Sequence, residues 1–222
     1  TGFNRAILVE NRGDDLTFEN LRINLPATTA ATEDRGAIIA RTSLSSNIRF
    51  INNIVTGGSF GILLIGNSSS RTPGVLFTGN TVTNVYYRPV YFEYLQGLIF
   101  NDNTITTTSA YSDYYSAIHN TSGYLEMLRN RITGAVGHAL RMSYVSGIEA
   151  QPSIIANNFF HSNSGYGTLY IVYGQTYTNF YHNSVHNTSS GEAFYFNRGQ
   201  STGNRIVNNI FKANTGYAVE FQ

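Results

Sequence analysis

The sequence predicts an all-β protein: a right-handed parallel β-helix, which is a three-faced solenoid, with about eight coils and a ladder of stacked Asn side chains. Three observations predict this fold class. One motif returns along nearly the whole chain, its short segments alternate apolar and polar residues, and no stretch has the sustained apolar periodicity of a capped helix. A repeat with a period of about 20–50 residues is typical of solenoids, propellers and arrays.

The repeated motif is clearest in GLIFNDNTIT (97–106), where Phe100 and Asn103 define the register. The equivalent pairs are Phe50 and Asn53, Phe77 and Asn80, Met127 and Asn130, Ile155 and Asn158, Phe180 and Asn183, and Ile206 and Asn209. Successive Asn residues are 27, 23, 27, 28, 25 and 26 positions apart. In the first coil Leu21 occupies the Asn position, and a weaker repeat is expected in a coil near an end.

Each repeat contains three short apolar segments, as one turn of a three-faced solenoid requires. In the coil that starts at Gly97 these segments are LIF (98–100), TIT (104–106) and AIH (117–119). Alternation of apolar and polar residues favours strands. The side chains expected to point inward are Leu98, Phe100, Ile105 and Ile118.

The seven repeated Asn residues are predicted to be structural. Stacked parallel strands lie about 4.8 Å apart, so an Asn at one tight turn of every coil can hydrogen-bond the coils above and below. Asn also tolerates the left-handed backbone that such turns often need. We therefore expect a ladder rather than catalytic residues at these positions.

These Asn-centred turns resemble those of the right-handed parallel β-helix repeat family, within the broad pectate-lyase-like superfamily. The repeats are similar to those of NosD-type proteins and of carbohydrate-binding and sugar-hydrolase proteins. The turns that carry the resemblance are FINNIV (50–55), FTGNTV (77–82), FNDNTI (100–105) and IVNNIF (206–211). The resemblance covers essentially all 222 residues. It implies the fold, but this superfamily includes lyases, hydrolases, epimerases, phage tailspikes and adhesins.

The composition of the chain limits the classes of partner that it can bind and its cellular location. Residues 1–222 show no compositional break, so a single elongated domain is predicted. A net charge of +1 gives no global field for nucleic acid, and no apolar run approaches a membrane span. The absence of Cys leaves the redox compartment open. The richness in Tyr, Asn, Ser, Thr and Gly favours a secreted or cell-surface bacterial protein. Because both ends fall in strand-like segments, we expect a fragment of a longer secreted protein with other domains.

The residues predicted to carry chemistry lie in two outward columns of one sheet, where the resemblance implies a substrate groove. Alignment of the strands that follow the long loops puts Glu93, His119 and Arg141 in line, about 5 Å apart. A carboxylate and an imidazole can act as acid or base, and a guanidinium can anchor a substrate carboxylate. The alternative is a solvated sheet face with opposite charges on neighbouring strands.

Tyrosines form the predicted substrate-binding surface. Tyr91, Tyr170 and Tyr195 fall in the other outward column. Two loops also concentrate tyrosines, among them Tyr86, Tyr87, Tyr111, Tyr114 and Tyr115. Exposed aromatic clusters commonly mark binding surfaces, and aromatic rings can cover the apolar faces of sugars. The alternative is that these loops pack on each other.

Other polar motifs are interpreted as structural. The position three after each Asn forms an outward stripe, Thr56, Thr83, Thr106, Thr133, His161, His186 and Lys212. His161 and His186 should lie one strand apart, but a metal site needs three or four ligands. Two Thr-x-Thr rows are too few to favour ice binding. Asp14 and Asp15 are expected in a plain turn, and His138 resembles a hydrolase motif only loosely. No cofactor is predicted, and calcium is left open.

Two functions remain open on the sequence alone. The first is an extracellular carbohydrate-binding or polysaccharide-processing module with a groove along one parallel sheet. The second is a non-catalytic structural stalk or adhesin segment of a surface protein. Whether the chain is an enzyme stays open; if it is, the resemblance implies a polysaccharide lyase or a glycoside hydrolase.

Overall fold

The chain folds as a solenoid of three parallel sheets that share one core, as predicted. The computed structural model describes residues 5–11, 13–42, 46–108, 111, 115–197, 199 and 201–222. In this part of the chain the only helix is a single 3₁₀ turn, Glu33–Arg35, and the strands form one nine-stranded and two eight-stranded sheets. Each successive strand along the chain passes to the next sheet, so every coil contributes one strand to each face.

Strands are numbered in chain order. Sheet A contains β1 (Ile7–Asn11), β4 (Gly36–Thr42), β7 (Phe60–Ile65), β10 (Arg88–Glu93), β13 (Ser116–His119), β16 (Leu140–Ser143), β19 (Leu169–Val172), β22 (Phe194–Phe196) and β25 (Val219–Phe221). Sheet B contains β2 (Thr17–Glu19), β5 (Arg49–Ile51), β8 (Thr72–Thr78), β11 (Leu95–Asn101), β14 (Ser122–Leu128), β17 (Ser153–Ala156), β20 (Thr178–Tyr181) and β23 (Arg205–Val207). Sheet C contains β3 (Arg22–Asn24), β6 (Ile54–Thr56), β9 (Thr81–Val85), β12 (Thr104–Thr107), β15 (Arg131–Thr133), β18 (Phe159–Ser162), β21 (Ser184–Asn187) and β24 (Ile210–Ala213).

The core is a continuous column of inward side chains. The four residues predicted to point inward in one coil, Leu98, Phe100, Ile105 and Ile118, are all fully buried. Phe100 stacks on Phe77 at a ring-centroid distance of 4.9 Å, because the same inward position is aromatic in successive coils. Burying one such side chain contributes roughly 1.5–3 kcal/mol. The core therefore holds each coil on its neighbours along the length of the solenoid.

The Asn ladder runs along the corner between sheets B and C. In a representative step, the backbone N–H and the side-chain amide of Asn103 both donate to Oδ1 of Asn130, each at 2.9 Å, and the same amide donates to the carbonyl of Phe77 at 3.1 Å. Equivalent bonds connect Asn53, Asn80, Asn103, Asn130, Asn158, Asn183 and Asn209. Leu21, in the Asn position of the first coil, donates its backbone N–H to Oδ1 of Asn53 at 3.0 Å. The predicted ladder is confirmed.

The left-handed residue of these turns is the one before the ladder Asn, not the Asn itself. The residues with positive φ at this position are Asn52, Gly79, Asp102, Arg129, Asn157, His182 and Asn208. The expectation that the ladder Asn itself adopts this conformation was wrong. Its side chain is needed for inward hydrogen bonds, so the preceding, outward residue makes the turn. Asp15 also has positive φ, and its carboxylate accepts from Asn47, consistent with the plain turn expected there.

The long polar loop 26–36 folds against the outer side of sheet A. Thr32 caps the 3₁₀ turn and donates its backbone N–H to the hydroxyl of Ser59, at 3.0 Å, in the following coil. Glu33 forms a two-bond ion pair with Arg41 on β4. Arg5 bonds the other side of the turn, through the carbonyl of Glu33 and the carboxylate of Asp34. These contacts position the loop over the sheet face.

Candidate functional site on the outer face of sheet A

The strand register changes one of the two predicted columns. Glu93 pairs with His119 as expected, but His119 pairs with Ser143, while Arg141 pairs with Ala117 and Tyr170. The predicted line of Glu93, His119 and Arg141 is therefore wrong at Arg141. The same two-residue shift places Glu220 opposite Tyr195 in the last coil. A shift of two keeps every side chain on its face, so the apolar pattern that located the strands could not fix the register.

Glu93 is held by two neighbours on the sheet face. The hydroxyl of Tyr91 donates to one carboxylate oxygen at 3.0 Å, and the amide of Asn120 donates to the other at 3.0 Å. Burial, and then the charge of Glu93, raise the pKa of the Tyr91 hydroxyl well above its usual range. The Tyr91 ring also lies edge-on to the His119 ring, with centroids 5.5 Å apart. Tyr91, Glu93 and His119 thus form one connected group.

His119 is a neutral, hydrogen-bonded imidazole at pH 7. Its Nδ1 lies 2.6 Å from the hydroxyl oxygen of Ser143. Burial, followed by the positive charges of Arg141 and Arg88, lowers its pKa to about 4. The two guanidinium groups oppose protonation of this imidazole, and the same charges can neutralise an anionic ligand.

Tyr115 is buried between two arginines. The guanidinium of Arg88 lies over its ring at 3.9 Å, and Arg141 donates to its hydroxyl at 2.6 Å. Only 5% of Tyr115 is exposed, so its predicted role as an exposed loop tyrosine is wrong. The ring is covered because it separates two cations, and each is attracted to its π face or its hydroxyl. Tyr114 lies outside the described residues.

The C-terminal half of the face presents a stack of aromatic rings. His138, Tyr170 and Tyr195 lie nearly parallel, with centroid distances of 4.3 Å and 4.5 Å between neighbours. His138 is buried and hydrogen-bonded to the carbonyl of Gly167, so it supports the stack from beneath. Burial raises the pKa of the Tyr170 hydroxyl, and neighbouring Tyr195 adds to this effect. The predicted pairing of Tyr170 with Tyr195 is confirmed.

A cleft of about 560 Å³ opens at the N-terminal half of the same face. Tyr87 and Tyr91 form part of its lining. The floor is apolar, and its rim is charged because the loop 26–36, β4 and β10 bring Glu33, Arg41 and Arg88 to its edge. The cleft is continuous with the Tyr91, Glu93 and His119 group through Tyr91.

The stripe on sheet C matches its prediction from Thr106 to Lys212, but the register shifts between the coils of Thr83 and Thr106. His161 pairs with His186, and their ring centroids lie 5.5 Å apart. Burial lowers the pKa of His161, and neighbouring His186 contributes to the shift. Within the described ranges, no group of three or more His, Cys, Asp or Glu side chains is arranged to hold a metal ion.

The comparison with family models identifies the chain by its repeats. The model described as right handed beta helix region matches residues 35–221. The chain belongs to this β-helix family. The match and the three parallel sheets agree on the same architecture. Neither the comparison with curated proteins nor that with solved structures found a match.

Several features of this β-helix face were missed by the sequence reasoning. Ser143 was overlooked because the register error assigned its place to Arg141. Arg88 and the Glu33–Arg41 pair were not singled out, although an Arg beside tyrosines in NVYYRP (84–89) is a signal for cation–π contacts.

None of the helices in the described residues is long and apolar enough to cross a membrane.

Proposed function

We propose that this β-helix is an extracellular module that binds an acidic polysaccharide along the outer face of sheet A. The proposal rests chiefly on Arg88 and Arg141. In the part of the chain that the structure describes, the ion pairs involve Arg5, Arg41 and Arg129, and neither Arg88 nor Arg141 has a carboxylate partner. Two half-buried guanidinium groups around one tyrosine favour a ligand that supplies negative charge.

The hydrogen-bonding capacity of Arg141 supports the same proposal. Its Nε is buried and has no hydrogen-bond partner among the described residues, although one Nη donates to Tyr115. A buried donor without a partner is costly, roughly 1–3 kcal/mol, so a small movement of the guanidinium that brings Nε to a carboxylate or sulfate oxygen would be favourable. Planar two-bond recognition of a carboxylate is the geometry that guanidinium groups favour.

Aromatic rings supply the neutral part of the binding surface in this proposal. Tyr170 and Tyr195 stack on the C-terminal side of Arg141, and Tyr91 and Tyr87 lie toward the cleft. Rings on both sides of a cationic centre suit a polymer whose sugar units have apolar faces and acidic substituents. Neighbouring coils are about 4.8 Å apart, so a chain that lies across several coils meets both kinds of contact.

The catalytic form of the proposal assigns the chemistry to His119, Glu93 and Arg141. A neutral His119 would abstract the C5 proton of a uronate, once the bound carboxylate offsets the guanidinium charges that lower the pKa of His119. The C4–O bond would break by β-elimination, a double bond would form between C4 and C5, and the leaving oxygen would take a proton from water. Arg141 would neutralise the uronate carboxylate, and Glu93 would contact the same sugar from the preceding coil. A polysaccharide lyase is favoured over a glycoside hydrolase, because the group next to Arg141 combines the imidazole of His119 with a single carboxylate, that of Glu93. No cofactor is assigned, and calcium is tested by adding a chelator.

The experiment is a binding screen of the purified protein against acidic and neutral polysaccharides. Arg141→Gln and Arg88→Gln should each weaken binding of acidic polymers at least tenfold and flatten its salt dependence. Arg129→Gln is the matched control, because it removes one positive charge from an exposed turn away from sheet A. Tyr170→Ala should weaken acidic and neutral polymers alike. Undiminished affinity in the Arg141, Arg88 and Tyr170 variants would remove the site from this face.

A structural stalk or adhesin segment is the second candidate. It is favoured by the unbroken ladder from Asn53 to Asn209 and by the continuous core, which together make a stiff rod. Failure of every glycan in the screen to bind would favour this function over the first. Measurement of lyase activity by the ultraviolet absorbance of unsaturated products separates binding from bond cleavage within the first candidate.

A further inference from the structure

The face of sheet A is not open at both ends. On its N-terminal side the loop 26–36 folds over the sheet, and the side chain of Glu33 reaches Arg41 on β4 in a two-bond ion pair. The backbone N–H of Thr32 ties the loop to Ser59 at 3.0 Å, and Arg5 holds it from the far side through Asp34 at 2.6 Å. We call the Glu33–Arg41 pair and its loop the end wall.

The end wall also explains an unusual feature of the outward columns. Ile39 and Leu63 point away from the core, yet they are 1% and 2% exposed and pack with Phe60 into a separate apolar cluster. Tyr87 and Tyr91 pack against this cluster. The outer face of the second and third coils is therefore largely covered, and the cleft opens at the edge of this apolar cluster.

The lining of the cleft suits a single sugar unit. Leu63, Phe60 and Ile65 give an apolar floor, and the rings of Tyr87 and Tyr91 stand at its side. Thr32, Glu33, Arg41 and Arg88 supply polar groups at the rim. An apolar floor with a few converging polar groups is typical of small-molecule sites. The charged rim can bond the hydroxyl at the linkage position, which is free only in a terminal unit.

We infer that the cleft receives the terminal unit of the bound glycan, so that the module recognises chain ends rather than internal segments. This inference rests on the proposed function. A polymer that follows the outward column can lie over Tyr195, Tyr170 and Arg141 and reach Tyr91. The column continues from Tyr91 to Leu63 and Ile39. These two side chains are 2% and 1% exposed, so the polymer cannot continue over them. In the neighbouring column the path is closed at Arg41 by its ion pair with Glu33. The end wall thus converts an open groove into a blind one.

The number of protein molecules bound per polymer chain tests the inference. The probe is polygalacturonate, or alginate if that is the polymer bound in the screen, in size-fractionated samples of increasing length, measured by titration calorimetry. Recognition of one chain end gives one protein per chain at every length. Binding to internal segments gives a stoichiometry that rises in proportion to length, and that result would overturn the inference while leaving the proposed function intact.

A wall variant and end-modified probes complete the test. Glu33→Ala combined with Arg41→Ala opens the wall, so the number bound per chain should begin to rise with length. Asp102→Ala combined with Arg129→Ala is the matched control, because it removes an ion pair of the same kind elsewhere, and it should keep one protein per chain. The reducing end is chemically reduced in one probe, and the other end is blocked in a second probe. One of these two modifications should abolish binding, and the other should leave it unchanged. Binding that survives both modifications contradicts end recognition, and absence of binding at every length overturns the proposed function as well.

Discussion

The corner between sheets B and C, called the Asn corner here, and the outer face of sheet A differ in how their residues change from coil to coil. At the corner, coil after coil presents the same buried amide, and each amide bonds the next. On the outer face, successive coils present Tyr91, Ala117, Arg141 and Tyr170 at one position, and the residue changes at every step until Tyr170 is followed by Tyr195. Repetition indicates a residue selected for stacking one coil on another. Variation at a fixed position indicates residues free to form a site.

The largest expected effect tests the corner. Asn130→Ala removes the acceptor for Asn103 and the donor to the carbonyl of Phe100, both buried. Each orphaned buried group costs roughly 1–3 kcal/mol, so we expect a loss of several kcal/mol in the free energy of unfolding, measured in urea. The control is Asn209→Ala, because Asn209 is half-buried at the last rung of the described ladder. Equal losses in the two variants would contradict a cooperative ladder.

The second effect tests whether the face is an ordinary solvated surface. Because the pKa of His119 is lowered from 6.5 to about 4, the unfolded chain binds a proton that the folded chain does not between these values. Stability should therefore fall as the pH drops through this window, by at most about 3 kcal/mol, and level off below it. His119→Asn should remove this part of the pH dependence of stability. The part that comes from titration of the carboxylates should be the same in the variant and in the original protein. Identical slopes for the two proteins would argue for a solvated imidazole.

A smaller effect concerns the tyrosine between the arginines. Tyr115→Phe removes the hydroxyl that accepts from Arg141 but keeps the ring beneath Arg88. Loss of a hydrogen bond to a charged donor should lower the free energy of unfolding by about 1.5 kcal/mol. Tyr217→Phe, at a tyrosine that is 70% exposed, gives the comparison for removing a hydroxyl from the surface. A decrease in melting temperature of the same size in both variants would mean that the hydroxyl of Tyr115 does not hold Arg141 in place.

The smallest expected effect lies on the outer side of the Asn corner. Asp102 and Arg129 form a two-bond ion pair, and Arg129 lowers the pKa of the Asp102 carboxyl. Both side chains are largely exposed, and exposed ion pairs contribute little to stability. Arg129→Gln should leave the urea midpoint unchanged within error. A clear loss would show that the outer residue of the turn, and not only the buried Asn, supports the ladder.

The same contrast explains what could be predicted from the sequence. The corner was predictable because Asn53 to Asn209 recur with apolar residues at fixed spacing, and stacking leaves one geometry for them. The face was predictable only in part. Alternation assigns Arg141 to the outer side, but it cannot distinguish a register from one shifted by two residues. The loops between strands differ in length from coil to coil, so counting along the chain did not resolve this ambiguity.

The cleft and the burial of Tyr115 were beyond sequence reasoning for a different reason. Both depend on where loops fold after the coils have formed. A run such as PATTAATEDRG (26–36) reads as a polar surface loop, and its composition does not indicate that Glu33 will reach across the sheet to Arg41. Likewise, TSAYSDYYS (108–116) gives no sign that one tyrosine turns inward between two cations.

The amide ladder also has a direction. Every rung donates from its backbone N–H and side chain to the oxygen of the next Asn along the chain, never to the previous one. The two ends of the ladder therefore differ. A coil without its C-terminal neighbour presents two unsatisfied N–H donors, whereas a coil without its N-terminal neighbour presents an unsatisfied oxygen. Because an unpaired buried donor or acceptor is costly, a further coil can be added to either end only if it brings the complementary group.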